Sequence, residues 1–260
     1  MVVTDDINTL LMRLELQMSP GFSYSGDNGP DKWGSLSPSY ETCQSGKSQS
    51  PIDIPDEDKM EANKDLKSLG RDYKVVNASL INRRFYVELN LGNAGGFNFQ
   101  EKDYTFKQIN FHTPSEHTID GKQYDAESQL FHVATDGSRI VIAVLYKIGN
   151  ADPLLAKMQN QLVELAKEQC GSNEVSQIAV KSFNAPKLER GTRKYYHYVG
   201  SLTTPPCTEN IKYVILGKVR SISKEQVALL KAPLDSKCKG NSRPVQPLND
   251  RHVDLYSESD

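Results

Sequence analysis

The chain has 260 residues, 37% of them hydrophobic and 25% charged, enough for one large domain around a substantial core. A formal net charge of -2 supplies no field to gather nucleic acid or an anionic membrane surface. No apolar run approaches the ~18 residues of a membrane span, so a nucleic-acid partner and a membrane-spanning role are both excluded.

Residues 1–20 read as an N-terminal extension, and residues 21–260 as the domain proper. Ile7, Leu10, Leu11 and Leu14 follow Asp5 and Asp6 at helical spacing. The segment lacks the basic start and unbroken apolar stretch of a secretory signal, and it is expected to be a loosely ordered extension or the remnant of a processed precursor. Cys43, Cys170, Cys207 and Cys238 form no CxxC pair, which argues against a cysteine zinc site and leaves disulfides or free thiols. Asn77-Ala78-Ser79 is a glycosylation sequon. Runs rich in β-formers predict strands over 73–76, 85–91, 104–112, 128–134, 140–147, 195–198 and 212–219. Turn chemistry at 92–96 and at Asp120-Gly121 separates them. Two helices are predicted: 153–169, with Leu155, Met158, Leu162 and Leu165 on one face, and 223–230. No repeat or low-complexity linker interrupts this β-dominated single domain with peripheral helices.

Side chains alternate along a strand, so Gln108, Asn110 and His112 share one face. On the strand that follows, Glu127, Gln129 and Phe131 do the same. If the two strands pair, Asn110, His112 and Gln129 converge on one point. Ser115-Glu116-His117-Thr118-Ile119-Asp120-Gly121 connects them. With that string, the sequence resembles the α-carbonic anhydrases, where two histidines alternating on one strand and a third on its neighbour hold zinc. Further family strings follow in order: Asn28-Gly29-Pro30, Trp33-Gly34, Gln49-Ser50-Pro51-Ile52-Asp53-Ile54, Gly200-Ser201-Leu202-Thr203-Thr204-Pro205-Pro206-Cys207-Thr208-Glu209 and Asn241-Ser242-Arg243-Pro244-Val245-Gln246-Pro247-Leu248. The resemblance covers residues 22–248 and is nearest in style to the plant branch. It implies a central, twisted, mostly antiparallel sheet of about ten strands with a conical cavity reaching its middle. It also implies a Cys43–Cys207 disulfide and hence a secreted, apoplastic or endomembrane-lumen location. Cys170 and Cys238 have no family partner, and either pair with each other or stay free.

The positions that match the zinc ligands are Asn110, His112 and Gln129, and only the middle one is histidine. Carboxamide oxygens are neutral donors suited to hard cations, whereas catalytic zinc takes imidazole, thiolate or carboxylate. No cofactor is therefore expected, with zinc absent or weakly held. Arg83 stands at the family's proton-shuttle position and cannot relay protons at neutral pH. Phe131 replaces a small aliphatic beside the third ligand, and Val141, Leu202 and Ile211 match the apolar pocket wall. Thr203 and Glu116 match the family's gatekeeping pair, while Thr204 and Gln108 match polar positions near the cavity floor. His117 and His132 read as structural, and His197 and His252 as surface or packing residues.

These departures predict loss of zinc-dependent CO2 hydration. One reading keeps the cavity as an enzyme site, with His112, Glu116 and Thr203 as catalytic groups in metal-independent acid–base chemistry. Arg83, Gln108, Asn110, Gln129, Phe131, Val141, Leu202, Thr204 and Ile211 would line the substrate site. Its small organic substrate would be of the amine or imine type, by analogy with plant relatives that condense such precursors in Mannich-like carbon–carbon bond formation during alkaloid synthesis. The opposing reading is a non-catalytic storage or binding protein of the dioscorin or carbonic-anhydrase-related type. A third is residual carbonic anhydrase activity.

Overall fold

Alternating apolar and polar side chains, broken by glycine and asparagine turns, fold the chain into a sheet that divides two apolar clusters. A computed structural model describes residues 21–167, 176–184 and 193–258. The extension 1–20 and Cys170 lie outside the described residues. In chain order the elements are α1 (Trp33–Leu36), α2 (Thr42–Ser45), β1 (Asp53–Ile54), β2 (Gly70–Tyr73), β3 (Val76–Asn82), β4 (Val87–Asn90), β5 (Gly95–Phe99), β6 (Lys102–His112), β7 (Thr118–Ile119), β8 (Lys122–Gln123), β9 (Ala126–Val133), β10 (Arg139–Ile148), α3 (Pro153–Lys157), α4 (Gln159–Lys167), β11 (Gln177–Phe183), β12 (Lys194–Ser201), β13 (Glu209–Leu216), β14 (Arg220–Ile222), α5 (Lys224–Lys231) and β15 (Asp254–Ser257).

Twelve strands form one sheet, with β11-β3-β4-β6-β9-β10-β13-β12-β15 as its main path; β14 pairs with β10, and β5 bridges β2 and β6. The expected sheet of about ten strands is present with twelve: nine on the main path, ending in β11 and β15, and the short β2, β5 and β14 off it. Most pairings are antiparallel, and β13 and β14 both run parallel to β10. The strands β1, β7 and β8 make a separate small sheet.

On one face, Leu80, Leu89, Ile109, Leu130 and Ile142 pack against leucines of the helices, among them Leu154, Leu162 and Leu230. The opposite face carries a smaller cluster around Val141, Ala143, Tyr198 and Tyr213. β10, at the centre, is buried from Ile140 to Tyr146.

The predicted helix over 153–169 is two helices, because Met158 leaves helical geometry at φ -111° and ψ 10°. The turn lets both pieces bury leucines, Leu154 and Leu155 from α3 and Leu162 and Leu165 from α4. Asp152 caps α3 by accepting the N–H groups of Leu154 and Leu155, and a Ser223–Gln226 capping box starts α5. The predicted strand over 73–76 straddles the break between β2 and β3. Cys43 and Cys207 are joined in a disulfide, while Cys238 is a buried free thiol.

Candidate active site

Strand register assembles the site. Asn110 of β6 lies opposite Gln129 of β9, Gln108 opposite Phe131, and His112 opposite Glu127. On its other side, β6 sets Asn110 against Glu88 and Gln108 against Asn90 of β4. Asn110, His112 and Gln129 are all buried, at 6%, 1% and 0% exposure. Gln108, Phe131, Leu202 and Thr204 are only half-buried. The floor is thus sealed and the surroundings partly open to solvent.

His112 Nδ1 lies 2.8 Å from the backbone carbonyl of Asn241. A carbonyl oxygen can only accept, so Nδ1 carries a proton, and whenever the ring is neutral its lone pair lies on Nε2. The same Asn241 accepts the Thr113 N–H on its side-chain oxygen and donates to the carbonyls of Phe85 and Phe111. Glu116 Oε1 is 3.6 Å from His112 Nδ1. That carboxylate accepts the Arg243 N–H at 3.0 Å and the Gln129 side-chain N–H at 2.8 Å. Burial raises the Glu116 carboxyl above the usual range; His112, the Thr203 hydroxyl and the Arg243 N–H pull the other way.

Gln129 also donates to Glu127 Oε1 at 3.0 Å. Glu127 further accepts the N–H groups of Glu116 and His117 and the His117 ring. Burial works against its ionisation, yet His117 and these hydrogen bonds outweigh it and hold the carboxyl down at about 2. The other His117 nitrogen meets the Tyr198 hydroxyl at 2.7 Å. His117 is a pillar of the floor. Because both N–H bonds of the Gln129 amide are spent on Glu116 and Glu127, its carbonyl turns away from them, and this fully buried oxygen has no hydrogen-bond partner among the described residues. The buried Tyr24 hydroxyl is also without one among them, and burial first, then the Glu116 charge, pushes its ionisation upward.

The remaining expected residues divide in two. Phe131, Val141, Leu202 and Ile211 belong to one apolar cluster, with Val141 and Ile211 fully buried in it. Arg83 is bound to Glu88 through two parallel hydrogen bonds of 2.8 and 2.9 Å. The Asn110 side-chain oxygen accepts from Gln108 at 3.0 Å. His197, expected at the surface or in packing, is buried against Phe99, and His252 is exposed.

Sequence reasoning passed over Glu88, Asn241, Arg243 and Tyr24. Glu88 stood on a predicted strand two residues from Tyr86, which packs 6.0 Å from the His112 ring. Asn241 and Arg243 lie in the 241–248 family string, where their residue types alone signal no chemistry. Arg243 is 2% exposed and ties that string to the carbonyls of Cys43 and Ser50 and to Gln49. Among the described residues, no group of three or more His, Cys, Asp or Glu side chains is placed to hold a metal ion.

The family model for eukaryotic-type carbonic anhydrase matches residues 28–257. Alpha carbonic anhydrase 7 of Arabidopsis thaliana is 37% identical over 93% of this chain and 87% of its own length. Dioscorin dioA3 of Dioscorea japonica is likewise 37% identical, over 91% of this chain and 86% of its own. Among solved structures, dioscorin complexed with ascorbate superposes with a TM-score of 0.83 at 35% identity, covering 92% of this chain and 99% of that one.

Proposed function

Because the chain belongs to the α-carbonic-anhydrase family yet carries one imidazole and two carboxamides where the family holds zinc, we propose that its cavity is a metal-independent acid–base site for a small organic molecule. The donor set does not fit a catalytic zinc. Asn110 spends its oxygen on Gln108, and Gln129 offers only a neutral carbonyl. The family's hydration of CO2 is therefore lost.

The observation that carries the reading is the orphaned Gln129 oxygen. A buried carbonyl without a partner costs about 1–3 kcal/mol, and a ligand N–H that reaches Gln129, closed off in the ligand-free chain at 0% exposure, would remove that cost. This favours amines and imines. In a Mannich-like step, His112 Nε2 takes the proton from the carbon acid, that carbon bonds to the iminium carbon, and the iminium π pair moves to nitrogen as a neutral amine. The protonated His112 then returns its proton to the product. Glu116, 3.6 Å from the ring, stabilises the positive charge in both states, and the half-buried Phe131 and Leu202, backed by Val141 and Ile211, receive the hydrocarbon part. The Cys43–Cys207 disulfide fits a secreted or endomembrane-lumen protein.

A second reading, a non-catalytic binding or storage protein, is favoured by the likeness to dioscorins and by a dioscorin structure that holds ascorbate. Calorimetric titration of small amines and of ascorbate against the wild type and Gln129→Met tests both readings. Amine binding that is lost in the folded variant, with turnover of an amine–carbonyl pair, supports the enzyme reading. Ascorbate binding without amine binding supports the second, and amine binding unchanged in Gln129→Met refutes the role given to that oxygen.

A further inference from the structure

We propose that Asn77 carries an N-linked glycan, seated beside the edge of the large sheet. Asn77-Ala78-Ser79 has the acceptor pattern with no proline in the middle, but a tripeptide is a weak signal, and it is the fold that makes this one usable. β3 turns Ala78 into the core and leaves Asn77 exposed, with Ser79 half-buried. The side-chain oxygen of Asn77 accepts the Ser182 backbone N–H at 3.2 Å. That bond orients the carboxamide and leaves its Nδ2, the atom that takes the sugar, on the other side.

The surroundings are open. Opposite Asn77, β11 bulges between Val180 and Phe183, with Ser182 at φ 52° and both Lys181 and Ser182 exposed. On the other flank β4 ends at Asn90, which pairs with Ser79, two residues short of Asn77. A Cβ built at Gly92, just beyond that end, would meet nothing within 4 Å. Among the described residues, these two flanks leave space beside Asn77.

The position also has a use. β11 is the outermost strand of the sheet order, and outer strands are where sheets recruit other chains. Val75, two residues before Asn77, is 58% exposed, and the first sugars would cover it. The Cys43–Cys207 disulfide calls for an oxidising compartment, and asparagine-linked oligosaccharide is added in such a lumen. The inference does not depend on what the cavity does.

The test is peptide mass spectrometry on the full chain, expressed behind a secretory signal in plant cells, before and after peptide-N-glycosidase A. The expected result is a glycopeptide at Asn77 whose asparagine becomes aspartate on enzyme treatment. Ser79→Ala should remove the glycan while the protein still folds, and Asn77→Gln serves as the second variant. A bare Asn77 in protein whose Cys43–Cys207 bond has formed would overturn the proposal, because that bond shows passage through the compartment.

Discussion

His132 gives the sharpest quantitative expectation. It sits on β9 one residue beyond Phe131, so its side chain leaves on the opposite face from Gln129 and Phe131 and is fully buried. Its Nδ1 donates to the Leu130 carbonyl at 2.9 Å and its Nε2 meets the Tyr73 hydroxyl at 2.7 Å, with Phe106 stacked 4.7 Å away. Burial is the main reason that this ring is held down at about 3 against an ordinary 6.5. Between those two values the unfolded chain binds a proton that the folded chain refuses. Stability is therefore full above pH 6.5, falls as pH drops through that value, and stops falling from this cause near pH 3. From pH 7 to pH 5 the loss assigned to His132 is about 2 kcal/mol, in a window above the carboxylate range. His197, also lowered by burial, adds to the slope with the same sign. The assay is urea unfolding at pH 7, 6 and 5 on the wild type and His132→Phe. The variant should be less stable at pH 7, because Tyr73 loses its acceptor, but its pH slope should shrink by about 2 kcal/mol over this range. An undiminished slope in the variant would refute the reasoning.

Three further outcomes are expected. Arg83→Met leaves Glu88, whose side chain is 3% exposed, with the Asn90 amide as its remaining bonded partner; chemical denaturation should register a loss of about 3 kcal/mol. His112→Ala should abolish turnover and also cost about 1–3 kcal/mol, since it strips the Asn241 carbonyl of its buried donor; full activity in the variant would remove His112 from the chemistry. The double variant Asn110→His/Gln129→His should bind one zinc per chain in elemental analysis. Glu127 already waits 3.0 Å from the residue-129 side chain, ready to accept the ring N–H of a new histidine.

The local code was legible where strands are long and alternating. β6, β9 and β10 were placed within two residues, and with them the convergence of Asn110, His112 and Gln129, because period-two burial is visible in a single sequence. β5 was passed over because its first two residues, Gly95 and Gly96, fall in the 92–96 stretch read as a turn. Its Gly95 has φ 99°, and a Cβ there would stand 2.0 Å from the Asp72 carbonyl oxygen, so glycine serves close strand approach as well as turning. β11 and the four-residue β15 were missed because each takes its place from partners distant in sequence, Val76–Asn82 and Lys194–Ser201. The same holds in the site. The Arg83–Glu88 pair and the seat of Arg243 between Glu116 and the 49–54 string arise from chain crossings that no local pattern encodes. The orphaned Gln129 oxygen is a property of geometry alone.

The central claim, that one imidazole and two carboxamides have replaced a working zinc site, is tested most directly by metal content. Protein purified without chelator is measured by elemental analysis and then titrated with zinc. The account predicts protein essentially free of zinc that takes the ion up weakly and without turning over CO2. One tightly held zinc per chain, with hydration activity that a chelator removes, would contradict it.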